Sequence, residues 1–192
     1  RDFFEVQDSI FYRDSSRNVE IAALPLDDYR VTVMIDYNSP VLGSQHASIT
    51  NIGQFEKEIA SCRTFCFLHE LEMLYKNNLI KGGDLNNAIV IVDRIVEPHE
   101  LDNIAQMLGK PKVEVKKEGI LNNIELRYNN EPARHKLLDI IGDLALAGRP
   151  LKAQILAARP GHAANVAFAK KLKKAMIESD KKGVPRYNPA LP

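Results

Sequence analysis

The pattern of apolar and polar positions predicts strands first and a mixture of helices and strands afterwards. Phe3 to Phe11, Val19 to Leu24 and Tyr29 to Ile35 alternate with a period of two, which is the signature of half-buried strands. Ser48 to Thr50 reads as another short strand. From Gln54 to Cys62 the spacing becomes helical, with Phe55, Ile59 and Cys62 on one side. A second helix is expected over Leu68 to Lys76, closed by Gly82-Gly83, and a third over His99 to Leu108. Asn87 to Val92 is nearly continuous in apolar residues and reads as a buried strand. Lys112 to Lys117 and Ile124 to Tyr128 alternate like exposed strands. A helix follows from Pro132 to Ala147, then a strand over Gln154 to Ala158, then a helix from His162 to Ser179. The expected class is α+β: a two-layer sandwich of mixed β-sheet with helices packed on one face, plus an inserted βαβ-like segment.

Composition narrows the classes. Among 192 residues the 26 basic and 25 acidic side chains nearly cancel, so no nucleic-acid or membrane-binding surface is implied by bulk charge. No apolar run approaches the roughly 18 residues of a transmembrane helix. Cys62 and Cys66 lack the spacing of a zinc pair and read as reduced thiols of a cytoplasmic protein. The chain opens on a strand already under way, without initiator Met or signal peptide, and residues 180–192 are polar and proline-rich. Both ends read as cuts from a longer polypeptide, the second as a linker.

The chemistry concentrates on one helix. Pro132 suits its first turn and Gly148 its C-terminal cap. His135, Asp139 and Asp143 follow at intervals of four and share one stripe, while Leu137, Leu138, Ile141 and Leu144 form an apolar side. An imidazole and a carboxylate one turn apart can grip one cation, and catalytic zinc takes three protein ligands. His135 and Asp139 would supply two, with Asp143 orienting another group. The same spacing also describes a surface ion pair. His162 follows a Pro-Gly turn at a helix start, where an imidazole is well placed for proton transfer. His46, His69 and His99 read as surface or structural residues, and Lys170, Lys171, Lys173 and Lys174 as a solvated helix face. Leu68, Leu71, Met73 and Leu74 read first as core.

Three motifs carry a resemblance. His135-Lys136-Leu137-Leu138-Asp139-Ile140-Ile141-Gly142-Asp143-Leu144 is similar to the His-Lys-x-x-Asp-x-x-Gly-Asp-Leu motif of the UDP-3-O-acyl-N-acetylglucosamine deacetylase family. Gly161-His162-Ala163-Ala164-Asn165 resembles its Gly-His-Ala motif followed by Asn. Thr64-Phe65-Cys66-Phe67 resembles its Thr-Phe-Gly-Phe, with Cys66 where Gly is usual. The resemblance spans residues 1–179 and is to the second of the family's two similar domains, between which the active site lies.

The resemblance implies a zinc-dependent hydrolysis of the N-acetyl group of UDP-3-O-acyl-N-acetylglucosamine in lipid A biosynthesis. It implies His135 and Asp139 as Zn2+ ligands, His162 as general acid held by Asp143, and Thr64 as an oxyanion donor. Lys136 would meet the nucleotide sugar, Asp36 and Tyr37 its uridine end, and Phe65 with residues 68–88 the acyl chain. The third zinc ligand and the general-base Glu would lie in the family's N-terminal domain, so this chain alone is expected to be inactive. Residues 97–117 lengthen the usual connection, and the linker resembles that of members fused to a dehydratase domain. Two other readings compete: another zinc amidase sharing this helix, and a non-catalytic binding or interaction domain.

Overall fold

A computed structural model describes residues 2–77, 88–107, 109–117, 119–122 and 124–181. The expected closure at Gly82-Gly83, most of the linker at 180–192 and much of the insert at 68–88 lie outside the described residues. The chain divides into two units. The first comprises Arg1–Ile35, His46–Ser61 and Ala133–Pro192, and the second Asp36–Gln45 and Cys62–Pro132.

The first unit is built on strands β1 (Phe4–Glu5), β2 (Ile10–Asp14), β3 (Val19–Leu24), β4 (Tyr29–Asp36), β5 (Ser44–Ile49) and a late strand, β8 (Leu151–Ala158). The sheet order is β2-β3-β8-β4-β5, with β8 between β3 and β4. β3 is antiparallel to β8 and β4 is parallel to it. β1 pairs with the start of β8, Phe4 opposite Leu151, so the expected strand from Phe3 to Phe11 is two strands. Period-two alternation sends Val31, Val33, Ile35, Ile155 and Ala157 to one face, where all are buried. Helices α4 (Glu131–Leu144) and α5 (His162–Lys181) cover that face. The opposite face exposes Phe11, Met34 and Leu156.

Helix α4 contributes Ala133, Leu137, Ile140 and Leu144 to the core at helical spacing. It tightens into a 3-10 turn, Ala145–Ala147, which ends at Gly148 with φ of 94°. That left-handed conformation favours glycine, as the sequence predicts. Helix α5 buries Phe168, Leu172 and Met176, each worth roughly 1.5–3 kcal/mol of transfer free energy. The helix expected over Gln54 to Cys62 is shorter. It comprises a 3-10 turn (Ile52–Gln54) and α1 (Phe55–Glu58), opened by a capping box between Asn51 and Gln54.

The second unit contains β6 (Thr64–Phe67), α2 (Leu68–Lys76), β7 (Ala88–Ile91) and α3 (Pro98–Met107). β6 and β7 are parallel, Thr64 opposite Ala88, which makes the insert a βαβ segment. Leu68 and Leu71 pack with Val90, Val92, Ile104, Val113 and Leu121, so these two leucines are core, while Met73 is exposed. The side chain of Leu74 is outside those described. The strands expected at 112–117 and 124–128 do not form. Among the described residues of this region the pairing is limited to isolated bridges, Val115 with Leu121 and Ile91 with Ile120. Side chains take the backbone groups a ladder would need: Arg127 N donates to Glu131 Oε2 at 2.7 Å, and Ile124 O accepts from Lys116 Nζ at 3.2 Å.

Candidate functional site

In the first unit, α4 carries two stripes side by side: the core stripe and the polar one of His135, Asp139 and Asp143. Asp139 is only 8% exposed and His135 16%. His135 Nε2 stands 3.4 Å from Asp139 Oδ1. That is long for a hydrogen bond. Two ligand atoms on one tetrahedral ion with bonds of about 2.0–2.1 Å lie about 3.3 Å apart. The pair therefore fits two ligands of a single metal ion. Asp139 Oδ2 faces Lys136 Nζ at 2.9 Å and His162 Nε2 at 4.0 Å. Among the described residues no group of three His, Cys, Asp or Glu side chains could hold a metal.

His162 reaches this stripe from the first residue of α5. The chain turns at Arg159, which ends β8 in the left-handed region with φ of 52°. Such a backbone costs on the order of 1 kcal/mol or more for a non-glycine residue. It is held from both ends: Arg159 N donates to Met34 O at 2.7 Å, and its Nε donates to Asn18 O at 2.8 Å. The sequence locates the turn at Pro160-Gly161; the strained residue is the arginine before them. His162 Nδ1 lies 2.9 Å from Asp143 Oδ2. A carboxylate only accepts, so Nδ1 carries the proton and Nε2 is left facing Asp139. The ring is 69% exposed, and Asp143 17%.

A further side chain joins this pair. Asn165 on α5 is fully buried and its Nδ2 donates to Asp143 Oδ2 at 2.9 Å. Besides its place in the motif after Gly161-His162, the sequence offers a signal for it: an amide in the otherwise apolar stripe of Ala164, Phe168, Ala169 and Leu172. The first unit thus gathers His135, Lys136, Asp139, Asp143 and His162.

The remaining candidates, Asp36, Tyr37, Thr64 and Phe65, belong to the second unit. Tyr37 and Phe65 meet edge to face at 5.5 Å, and Tyr37 meets Phe67 at 5.9 Å. Phe67 stacks on His69 at 5.7 Å, so His69 is an exposed member of an aromatic group. Thr64 is exposed at the first position of β6. Asp36 Oδ1 accepts from Asn38 N at 3.0 Å, which bends the chain after β4. In the same unit Glu131, the first residue of α4, is fully buried. It accepts from Arg63 N, Arg63 Nε, Arg63 Nη2 and Arg127 N at 2.7–3.0 Å. Burial pushes the Glu131 carboxyl up, but Arg63 and the two backbone donors outweigh it and hold it below the usual range. Burial raises the Cys66 thiol to about 11, with Glu70 adding to the effect. Among the described residues neither Cys62 nor Cys66 forms a disulfide.

The comparisons with known proteins agree with this assembly of motifs. A family model described as LpxC, UDP-3-O-acyl N-acetylglycosamine deacetylase, matches residues 1–104 and 104–174. A bifunctional enzyme LpxC/FabZ of Chlorobaculum tepidum is 50% identical over 177 residues, 91% of this chain and 38% of its own length. The protein of the same name from Porphyromonas gingivalis is 42% identical, covering 98% of this chain and 41% of its own length. A UDP-3-O-acyl-N-acetylglucosamine deacetylase of Chlamydia pneumoniae is 37% identical over 83% of this chain and 49% of its length. The chain therefore spans about two fifths to one half of these relatives. With the family model matched along most of its length, the chain belongs to the UDP-3-O-acyl-N-acetylglucosamine deacetylase (LpxC) family.

Proposed function

We propose that this chain supplies half of the active site of a zinc-dependent deacetylase. The reaction is hydrolysis of the N-acetyl group of UDP-3-O-acyl-N-acetylglucosamine, a step of lipid A biosynthesis. The observation that carries the reading is the convergence of His135, Asp139 and His162 on one end of the first unit, with His162 Nε2 4.0 Å from Asp139 Oδ2. Family membership supplies the substrate class.

His135 and Asp139 would hold a Zn2+ ion, with a further ligand and a general-base Glu supplied by an N-terminal domain of the complete enzyme. When bound, zinc supplies Lewis-acid polarisation and an acidified water. Asp143 keeps His162 Nδ1 protonated and directs Nε2 to the reacting amide. His162, protonated on both ring nitrogens for this step, gives its Nε2 proton to the amide nitrogen as the C–N bond breaks, while the water oxygen bonds to the carbonyl carbon and its proton passes to the general-base Glu, so acetate and the free amine leave. Thr64 donates to the developing oxyanion. Lys136, now against Asp139, turns to the nucleotide sugar, while Asp36 and Tyr37 receive its uridine end. Phe65 and residues 68–88 take the acyl chain, although Leu68 and Leu71 are committed to core. A dehydratase domain following the linker and a cytoplasmic location complete the reading; no described helix is long and apolar enough to cross a membrane.

The test is deacetylation of the UDP-sugar by the complete enzyme that contains this chain. His162→Ala is expected to lower turnover roughly 10²–10⁴-fold. An unchanged rate would overturn the reading, as would measurable turnover by the isolated chain.

A further inference from the structure

We infer that Asn165 is a positioning residue, whose buried amide clamps Asp143 so that the carboxylate presents Oδ2 to Nδ1 of His162. This rests on the proposed role of His162.

The side chain is expensive where it stands. Asn165 has no solvent exposure, and its buried neighbours along α5 are Ala164, Phe168, Ala169, Leu172 and Met176. Its Oδ1 has no hydrogen-bond partner among the described residues. A buried, unsatisfied carbonyl costs about 1–3 kcal/mol. An apolar side chain of the same volume would suit that stripe better, so packing does not account for an amide here.

What the amide does is specific. Among the described residues its one side-chain hydrogen bond runs from Nδ2 to Asp143 Oδ2 at 2.9 Å, and His162 Nδ1 stands 2.9 Å from the same oxygen. Since the carboxylate only accepts, these two contacts fix both the orientation of the amide and the tautomer of the ring. The imidazole is 69% exposed and cannot hold the carboxylate by packing. Asp143 rides on α4 and His162 on α5, so the pair needs an anchor at the helix–helix seam. Asn165, one turn into α5 with its own N–H donating to Gly161 O at 2.9 Å, is that anchor. Without it Asp143 is free to rotate about its side-chain torsions, and the imidazole loses its fixed partner.

The experiment is a pair of substitutions in the complete enzyme, assayed for deacetylation with metal content and unfolding temperature as controls. Asn165→Leu keeps the volume and removes the donor. It is expected to leave the unfolding temperature unchanged or higher, to lower kcat about tenfold or more, and to hold KM within about twofold. Made on top of Asp143→Ala, the same substitution is expected to change kcat by less than about twofold, because its target is gone. An equal loss in both backgrounds would overturn the inference, as would a loss confined to KM. Asn165→Ser removes the reach to Asp143 with less strain and is read in the same way where the leucine variant does not fold. If His162→Ala abolishes turnover while both Asn165 variants are silent, only this inference fails. If His162→Ala is itself silent, the functional reading fails first.

Discussion

Helix α4 carries two buried acids that have been treated in opposite ways. Glu131, in the second unit, has no exposed side-chain surface and receives four hydrogen bonds, three from Arg63 and one from the backbone of Arg127. Asp139, in the first unit, is 8% exposed and has one short contact, Lys136 Nζ at 2.9 Å, with two imidazole nitrogens at 3.4 and 4.0 Å. A buried charge is tolerated when paired and hydrogen-bonded, and is costly otherwise. Glu131 meets that condition within its own unit, so its role is structural. Asp139 leaves lone pairs uncommitted beside an imidazole at the separation of two ligands of one ion. Under the proposed function, that is the difference expected between a carboxylate kept for a ligand and one kept for the fold.

Breaking the satisfied pair should have the largest effect. Arg63→Ala leaves Glu131 buried without its counter-charge, and the loss of stability is expected at about 3–5 kcal/mol by denaturant unfolding of this chain at pH 7. A loss below about 1 kcal/mol would mean that the pair is no more than a surface contact, and the contrast with Asp139 would vanish. The pH dependence follows from the sign of the Glu131 shift. Its carboxyl is held below the usual range in the folded state, with burial opposing and Arg63 prevailing. The stabilisation is therefore fully present above the unfolded value of about 4.3 and is lost as pH falls through the folded one. The gap in stability between the parent chain and Arg63→Ala should be widest near neutrality and narrow at pH about 3. A gap that widened on acidification would contradict the assignment.

The sequence made one of these acids legible and hid the other. His135, Asp139 and Asp143 are visible because a helix turns a spacing of four into a stripe, so local periodicity suffices. The partners of Glu131 lie 68 residues away at Arg63, and no periodicity links them. The same division runs through the fold. β3, β4 and α5 are plain from alternation or helical spacing, whereas the insertion of β8 between β3 and β4 is a long-range pairing. A βαβ-like insert is expected, but the bounds of β6 are not legible, because Thr64–Phe67 is four residues long and its parallel partner β7 starts only at Ala88. The alternating stretch at 124–128 misleads for the converse reason: side chains, Glu131 among them, take the hydrogen bonds a ladder needs, while in 112–117 Lys116 N donates to Ile120 O and Glu114 O accepts from Asn122 N without extending into a ladder. Asn165 was visible as a residue of a motif, but its work shows only where α4 and α5 meet.

The smallest expected effect sharpens the comparison from the other side. Asp139→Asn keeps shape and one acceptor oxygen but removes the charge. Little in the fold depends on that charge: its single short partner among the described residues, Lys136, is a neighbour on the same helix. Removing a charge that is buried yet poorly paired also relieves desolvation, which offsets the lost contact. Stability of this chain should therefore move by no more than about 1 kcal/mol, in either direction, under the same denaturant unfolding. Metal retention by the complete enzyme, read from the absorption of a cobalt-substituted form, should fall sharply in the same variant, since an amide is a poorer ligand than a carboxylate. A stability loss matching that of Arg63→Ala, with cobalt binding untouched, would make Asp139 a second Glu131, an acid committed to the fold.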